Sequence, residues 1–226
     1  MATKKLSSST GRVTPAKKTR KPKPDGLNNT GDNAASTSEV KIGLAFLLES
    51  LIHEFRANTE HIPYQPKSIF PSEMFLFTTL VAMTGVDHIV ESGGRAGGST
   101  SYLSKLSIKI DSVSDSPVDG IKTHSGDGCL LVPKIISASK ANKIAVLIDG
   151  PKDQAAVDLA NEVLKDERVQ FVAVHDLVGN LAAKGVIHSH DVNDLTKELD
   201  AQIGDYLAKY PKGPGLTIFS NAPITI

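Results

Sequence analysis

From Asp87 to Leu103 the chain reads Asp-His-Ile-Val-Glu-Ser-Gly-Gly-Arg-Ala-Gly-Gly-Ser-Thr-Ser-Tyr-Leu, a short apolar run that meets an acid and four glycines before helix-forming residues resume. Gly93, Gly94, Gly97 and Gly98 let the backbone turn sharply and approach a ligand without Cβ interference. Ser99 and Thr100 stand where they would cap the next helix and leave its first N–H groups free. The spacing is not the dinucleotide fingerprint G-x-G-x-x-G: read from Gly93 it needs glycine at Arg95, and read from Gly94 it needs glycine at Ala96 and Ser99. Glu91 at the strand end suits a cationic or hydroxyl-rich ligand better than a pyrophosphate. The bland alternative is a plain strand-to-helix turn, for which four glycines are excessive.

Strand and helix patterns alternate after this turn. His88–Glu91 reads as a first strand, Thr100–Lys105 as a helix and Ile108–Ser114 as a second strand. Asp127–Ser139 reads as a helix, Lys143–Ile148 as a buried strand, Asp153–Lys165 as an amphipathic helix and Val169–Val174 as another buried strand. Asn193–Tyr210 should be helical and Leu216–Ser220 a last strand. Alternation of this kind implies a doubly wound α/β domain, a mostly parallel sheet with helices on both faces. Two helices are expected before it. The first runs from about 39 to 57, where Ile42, Leu44, Leu48, Leu51, Ile52 and Phe55 recur at helical spacing; the second runs from Ser72 to about Thr84, before Gly85.

The net charge of zero conceals an asymmetry. Eight of the 25 basic residues lie within 1–24, which hold no acid, leaving 17 against 25 acids in the remainder. Residues 1–38 carry almost no large apolar side chain and read as a disordered basic arm, with the folded domain spanning 39–226. The arm, especially residues 1–24, suits contact with nucleic acid, an acidic membrane surface or the acidic body, or a nuclear or organellar address; a solubilising tail is the plain alternative. The lone Cys129 excludes an intramolecular disulfide framework and fits a reducing compartment such as the cytoplasm. No apolar run reaches membrane-spanning length. With no Trp and four Tyr, the body offers no aromatic platform for stacking bases.

In doubly wound sheets ligands bind beyond the carboxyl ends of the strands. Four acids fall there: Glu91, Asp115, Asp149 in Val146-Leu-Ile-Asp-Gly-Pro-Lys152, and Asp176 in Val172-Ala-Val-His-Asp-Leu177. For Asp149 and Asp176 the plain alternative is loop capping. Ile187-His-Ser-His-Asp-Val192 looks like a metal cluster on paper, but His188, His190 and Asp191 read more simply as a solvated loop. Tyr64 and Lys152 are further candidates to line an acceptor pocket.

Taken in order, the Glu91–Thr100 turn, Ser125-Gly-Asp-Gly, Leu147-Ile-Asp-Gly and His175-Asp resemble the successive motifs of class I S-adenosylmethionine-dependent methyltransferases. The nearest subgroup is the small-molecule O-methyltransferases, including cephalosporin-hydroxylase-like and sugar-methylating enzymes. The likeness covers roughly residues 70 to 180. It implies a Rossmann-like domain and methyl transfer from S-adenosylmethionine to an oxygen of a small molecule or sugar. It also implies that Glu91 and the backbone of Gly93, Gly94, Gly97 and Gly98 hold the methionine part of the cofactor, with Ser99 a further cofactor-binding residue. Asp115 would then accept the ribose hydroxyls, with Asp111 its competitor if the second strand ends early, and Asp127 would sit beside the adenine. Asp149 and Asp176 match positions that hold a divalent cation in metal-dependent relatives, so Mg²⁺ is an optional helper, with His175 a third ligand or a general base. Two rival readings stand beside this one: a nucleic-acid or protein methyltransferase that docks through its arm, and a non-catalytic binding or scaffold protein on the same fold. A nicotinamide-dependent reductase is disfavoured by the glycine spacing.

Overall fold

The computed structural model describes residues 50–65, 68–94, 97–177, 189–191 and 216–222. The basic arm, Arg95, His188 and the expected helix over 193–210 lie outside these residues. Among the described residues no helix is long and apolar enough to cross a membrane.

Five helices and seven strands are described. Helix α1 covers residues 50–59, the described part of the expected first helix. The second, α2 (Pro71–Thr84), starts where Glu73 Oε2 accepts the Phe70 N–H at 3.0 Å, has proline in its first turn, and stops at Gly85 with φ 67°. Strand β1 (His88–Ser92) leads to the short helix α3 (Gly98–Leu103), β2 (Lys109–Val113) and β3 (Lys122–His124). Then come α4 (Gly128–Ala138), β4 (Ile144–Ile148), α5 (Asp153–Val163), β5 (Val169–His175), β6 (Ser189–Asp191) and β7 (Leu216–Phe219).

The strand order is β3-β2-β1-β4-β5-β7-β6. Pairings from β3 through β5 are parallel, while β7 runs antiparallel to both β5 and β6. The sheet is therefore mostly parallel and doubly wound, a Rossmann-like architecture, as the alternation of patterns predicts. Two short strands carry no apolar signature and were not expected. Lys122-Thr-His124 is a polar edge strand, and Ser189–Asp191, expected as a solvated loop, pairs with β7.

Both sheet faces are buried because strand residues alternate between two cores. Ile89, Ile110, Leu147, Phe171 and Ile218 pack with α1, α2 and α3. Val90, Val113, Val146, Val172 and Phe219 pack with α4 and α5. A bulge at Gln170 shifts the β4–β5 register, so Ile144 pairs with Val169 but Ala145 pairs with Phe171. The connection after β1 crosses one face and those after β3 and β4 cross the other. The winding thus reverses between β1 and β4, which opens a crevice at the carboxyl ends of those strands.

Candidate functional site

Gly93 occupies that crevice. Its φ is 95°, and a Cβ there would lie 2.3 Å from the Gly150 nitrogen and 2.8 Å from the Asp149 carbonyl carbon. No side chain fits, so the ends of β1 and β4 close onto each other, tied by Asp149 and Gly150 N–H groups donating to Ser92 O at 2.8 and 3.1 Å. Ser92 Oγ adds a hydrogen bond to Gly150 O.

Beside this contact lies a cleft of about 250 Å³ lined by Gly93, Ser114, Asp115, Gly126, Asp127 and Gly150 among others. The structure thus brings Asp115 and Asp127 to one cleft with Gly93. Ser125 Oγ donates to Asp115 Oδ1 at 2.9 Å, and Asp127 caps α4 by accepting the Cys129 N–H at 2.8 Å. Both acids are exposed.

Glu91 and Ser99 sit elsewhere. Glu91 is fully buried behind the turn, where Ser99 Oγ and Thr100 Oγ1 each donate to its carboxylate at 2.5 Å and Ser112 Oγ at 2.6 Å. Burial pushes its carboxyl above the ordinary range against the pull of these three hydroxyls. Ser99 and Thr100 therefore do not cap α3. The cap residue is Gly97, and the hydroxyls brace Glu91 instead. Gly94 leaves room for that side chain, and Gly98 packs against Ser68. Four of the expected ligand-facing positions thus shape the turn from behind: Glu91, Gly94, Gly98 and Ser99.

Asp111 is excluded from the ribose role. Strand β2 continues to Val113, and the Asp111 carboxylate is turned into the protein at 1% exposure. It receives His88 Nε2 at 2.8 Å, His124 Nε2 at 2.7 Å and Lys109 Nζ at 3.1 Å. Burial raises its pKa, but these partners outweigh it and hold it at about 2. His88 Nδ1 also bonds Ser139 Oγ at 2.7 Å.

On the other side of the Gly93–Gly150 contact, Asp149, His175 and Asp176 converge, with one potential ligand atom from each within 4.8 Å of the others. His175 Nδ1 lies 2.8 Å from Asp149 Oδ1, and Nε2 forms an ion pair with Glu73 Oε2 at 3.3 Å without hydrogen-bond alignment. Burial lowers the imidazole pKa, yet the two carboxylates prevail and push it up to about 9. Burial likewise raises Asp149, but hydrogen bonds from His175 and Lys152 hold it below the ordinary range. Asp176 has φ 60°, a strained conformation for a non-glycine residue.

Lys152, a sequence candidate for the acceptor pocket, joins this cluster, and so does Glu73, which the sequence reading missed. Lys152 Nζ reaches Asp149 Oδ1 at 2.7 Å and Asp176 Oδ2 at 3.4 Å; its signal was the three-residue spacing after Asp149. Glu73 had no local signal, since only the packing of α2 on the end of β5 brings it to His175.

The donor set fits a divalent cation in kind. Asp149 and Asp176 offer oxygens at 15% and 40% exposure, and the Lys152 ammonium that they share marks a place built for positive charge. His175 fits less well as a ligand, because a doubly protonated ring has no lone pair to give. The cleft fits a ligand with hydroxyls and positive charge, which two flanking carboxylates would receive.

The fold is that of a Rossmann-like α/β protein with a crevice at the strand ends. No family model and no curated protein matches the chain. Among solved structures it is similar to the O-methyltransferase from Bacillus cereus in complex with SAH, at 16% identity over 76% of this chain and 88% of that one, with a TM-score of 0.43. It is also similar to the SAH-bound methyltransferase of Podospora anserina, at 13% identity over 87% of this chain and 100% of that one, with a TM-score of 0.44.

Proposed function

We propose that this protein transfers a methyl group from S-adenosylmethionine to an oxygen of a small molecule or sugar. The observation that carries the reading is the arrangement about the Gly93–Gly150 contact. A cleft flanked by Asp115 and Asp127 lies on one side, and the Asp149–His175–Asp176 cluster with Lys152 lies on the other.

Asp115 would accept the vicinal hydroxyls of the cofactor's ribose, since a carboxylate is a bidentate acceptor for a diol. Asp127 would flank the adenine, while Glu91 keeps the turn in shape from within. The cofactor supplies a sulfonium methyl, so the protein's share of catalysis is alignment. Lys152, Asp149 and Asp176 stand where they would orient an acceptor hydroxyl and hold its released proton. Protonated His175 acts there as a fixed positive partner for Asp149 and not as a base. Mg²⁺ held by Asp149 and Asp176 would lower the pKa of the acceptor hydroxyl.

Calorimetric titration with S-adenosylmethionine and S-adenosylhomocysteine, with and without Mg²⁺, tests this reading. Saturable binding weakened at least roughly tenfold by Asp115→Ala is expected. A folded wild type that binds neither compound would remove the proposal and put a non-catalytic role on this fold in its place.

A further inference from the structure

We propose that the cavity between α1, α2 and α3 is a second binding site, one that takes a small aromatic molecule carrying a hydroxyl group. It measures about 320 Å³ and shares no lining residue with the strand-end cleft. Its inner wall is aromatic: Phe55, Phe75 and Tyr102 are 7%, 1% and 3% exposed. Phe55 stacks on Tyr102 with ring centroids 5.9 Å apart and meets Phe75 edge-on at 5.4 Å. The outer rim is polar, formed by the exposed side chains of Glu54, Asn58 and Lys105. Apolar cavities of roughly 150 Å³ hold benzene, and ligand pockets begin at about 300 Å³. A single ring with a substituent therefore fits this space.

Thr79 supplies the preference for a hydroxyl. It lines the cavity at 2% exposure, and its Oγ1 is buried with no hydrogen-bond partner. Neighbouring helical threonines behave otherwise. Thr59 Oγ1 donates to Phe55 O at 2.6 Å, Thr78 Oγ1 to Phe75 O at 3.0 Å and Thr84 Oγ1 to Leu80 O at 2.7 Å. That return bond to the helix's own carbonyls is the ordinary resource of a buried threonine. Going without it has a cost in stability, because the buried hydroxyl stays unsatisfied. A valine of the same shape would avoid the cost, so a hydroxyl beside an aromatic pocket is explained by a ligand group that pairs with it. The site requires nothing of the methyl-transfer reading.

Amide NMR titration of the full chain with phenol, and with toluene as the apolar control, decides the matter. Phenol should shift the amides of Phe55, Phe75, Thr79 and Tyr102 saturably and leave those of Gly93, Asp115 and Gly126 in place. Thr79→Val should weaken phenol binding roughly 3- to 10-fold and leave toluene binding unchanged, the difference of one hydrogen bond. Ala82→Trp, at an exposed position of the lining, should abolish binding of both by filling the cavity, and it decides by itself if Thr79→Val does not fold. A non-saturating response, shifts confined to the strand-end cleft, equal phenol affinity in Thr79→Val, or binding that survives Ala82→Trp each overturns the proposal.

Discussion

His175 Nδ1 lies 2.8 Å from Asp149 Oδ1, and this bond joins the ends of β4 and β5 through two side chains that are largely withdrawn from solvent. With Glu73 on its other nitrogen, the ring is held as a cation, which gives the protein an alkaline weak point. The folded pKa of about 9 stands above the ordinary 6.5. Its stabilisation is thus complete below pH 6.5 and is lost as the pH rises to about 9. The loss should be on the order of 3 kcal/mol. Urea denaturation across that range should show the decline in the wild type and a much flatter profile in His175→Gln.

The Asp111 cluster sets the opposite limit. Its folded pKa of about 2 lies below the ordinary 3.8, so its contribution is present above pH 3.8 and disappears as the pH falls toward 2. About 2 kcal/mol should be lost there. His88 adds to the acid side. Burial depresses its pKa below 6.5, so stability also falls as acidification protonates the unfolded chain's histidine. Denaturation midpoints of Asp111→Asn should be lower at neutral pH than those of the wild type and should lack the acid slope below pH 3.8.

Gly93→Ala tests the contact between β1 and β4. The substitution combines φ 95° with a Cβ placed 2.3 Å from the Gly150 nitrogen. Backbone strain alone is worth about 1–3 kcal/mol. Calorimetry should show a melting temperature lower by roughly 2–4 °C for each kcal/mol lost, together with lost binding of S-adenosylhomocysteine. An unchanged melting temperature would show that the two strand ends can separate freely.

Lys152→Met should expose the pair of carboxylates that the ammonium now shares. Because Lys152 is 44% exposed, its competition with an added cation is screened and modest. Mg²⁺ affinity measured by calorimetry should rise by roughly fivefold, the scale of one exposed ion pair. A fall in affinity would place the cation elsewhere.

The parts legible in the sequence are those that depend on local order. The apolar runs at Ile144–Ile148 and Val169–His175, the amphipathic repeat from Asp153 to Val163 and the glycine turn after Glu91 each announce their own structure, and the acids at strand ends follow from them. Edge strands β3 and β6 are not legible in this way. Their three-residue spans are polar or mixed, and only backbone pairing with a neighbour makes them strands. Lys152 was within reach of the spacing after Asp149, whereas Glu73 belongs to a helix far from β5 in the chain.

Local sequence therefore determined the doubly wound sheet, its helices, and which acids end which strands, because periodicity of apolar residues and backbone freedom at glycine act over a few residues. Tertiary structure alone decided where those acids point. It turned Glu91 inward onto three hydroxyls, buried Asp111 among two histidines and a lysine, and left Asp115 and Asp127 facing a cleft. Whether a carboxylate braces the fold or meets a ligand depends on which distant side chains satisfy it, and that is a property of packing.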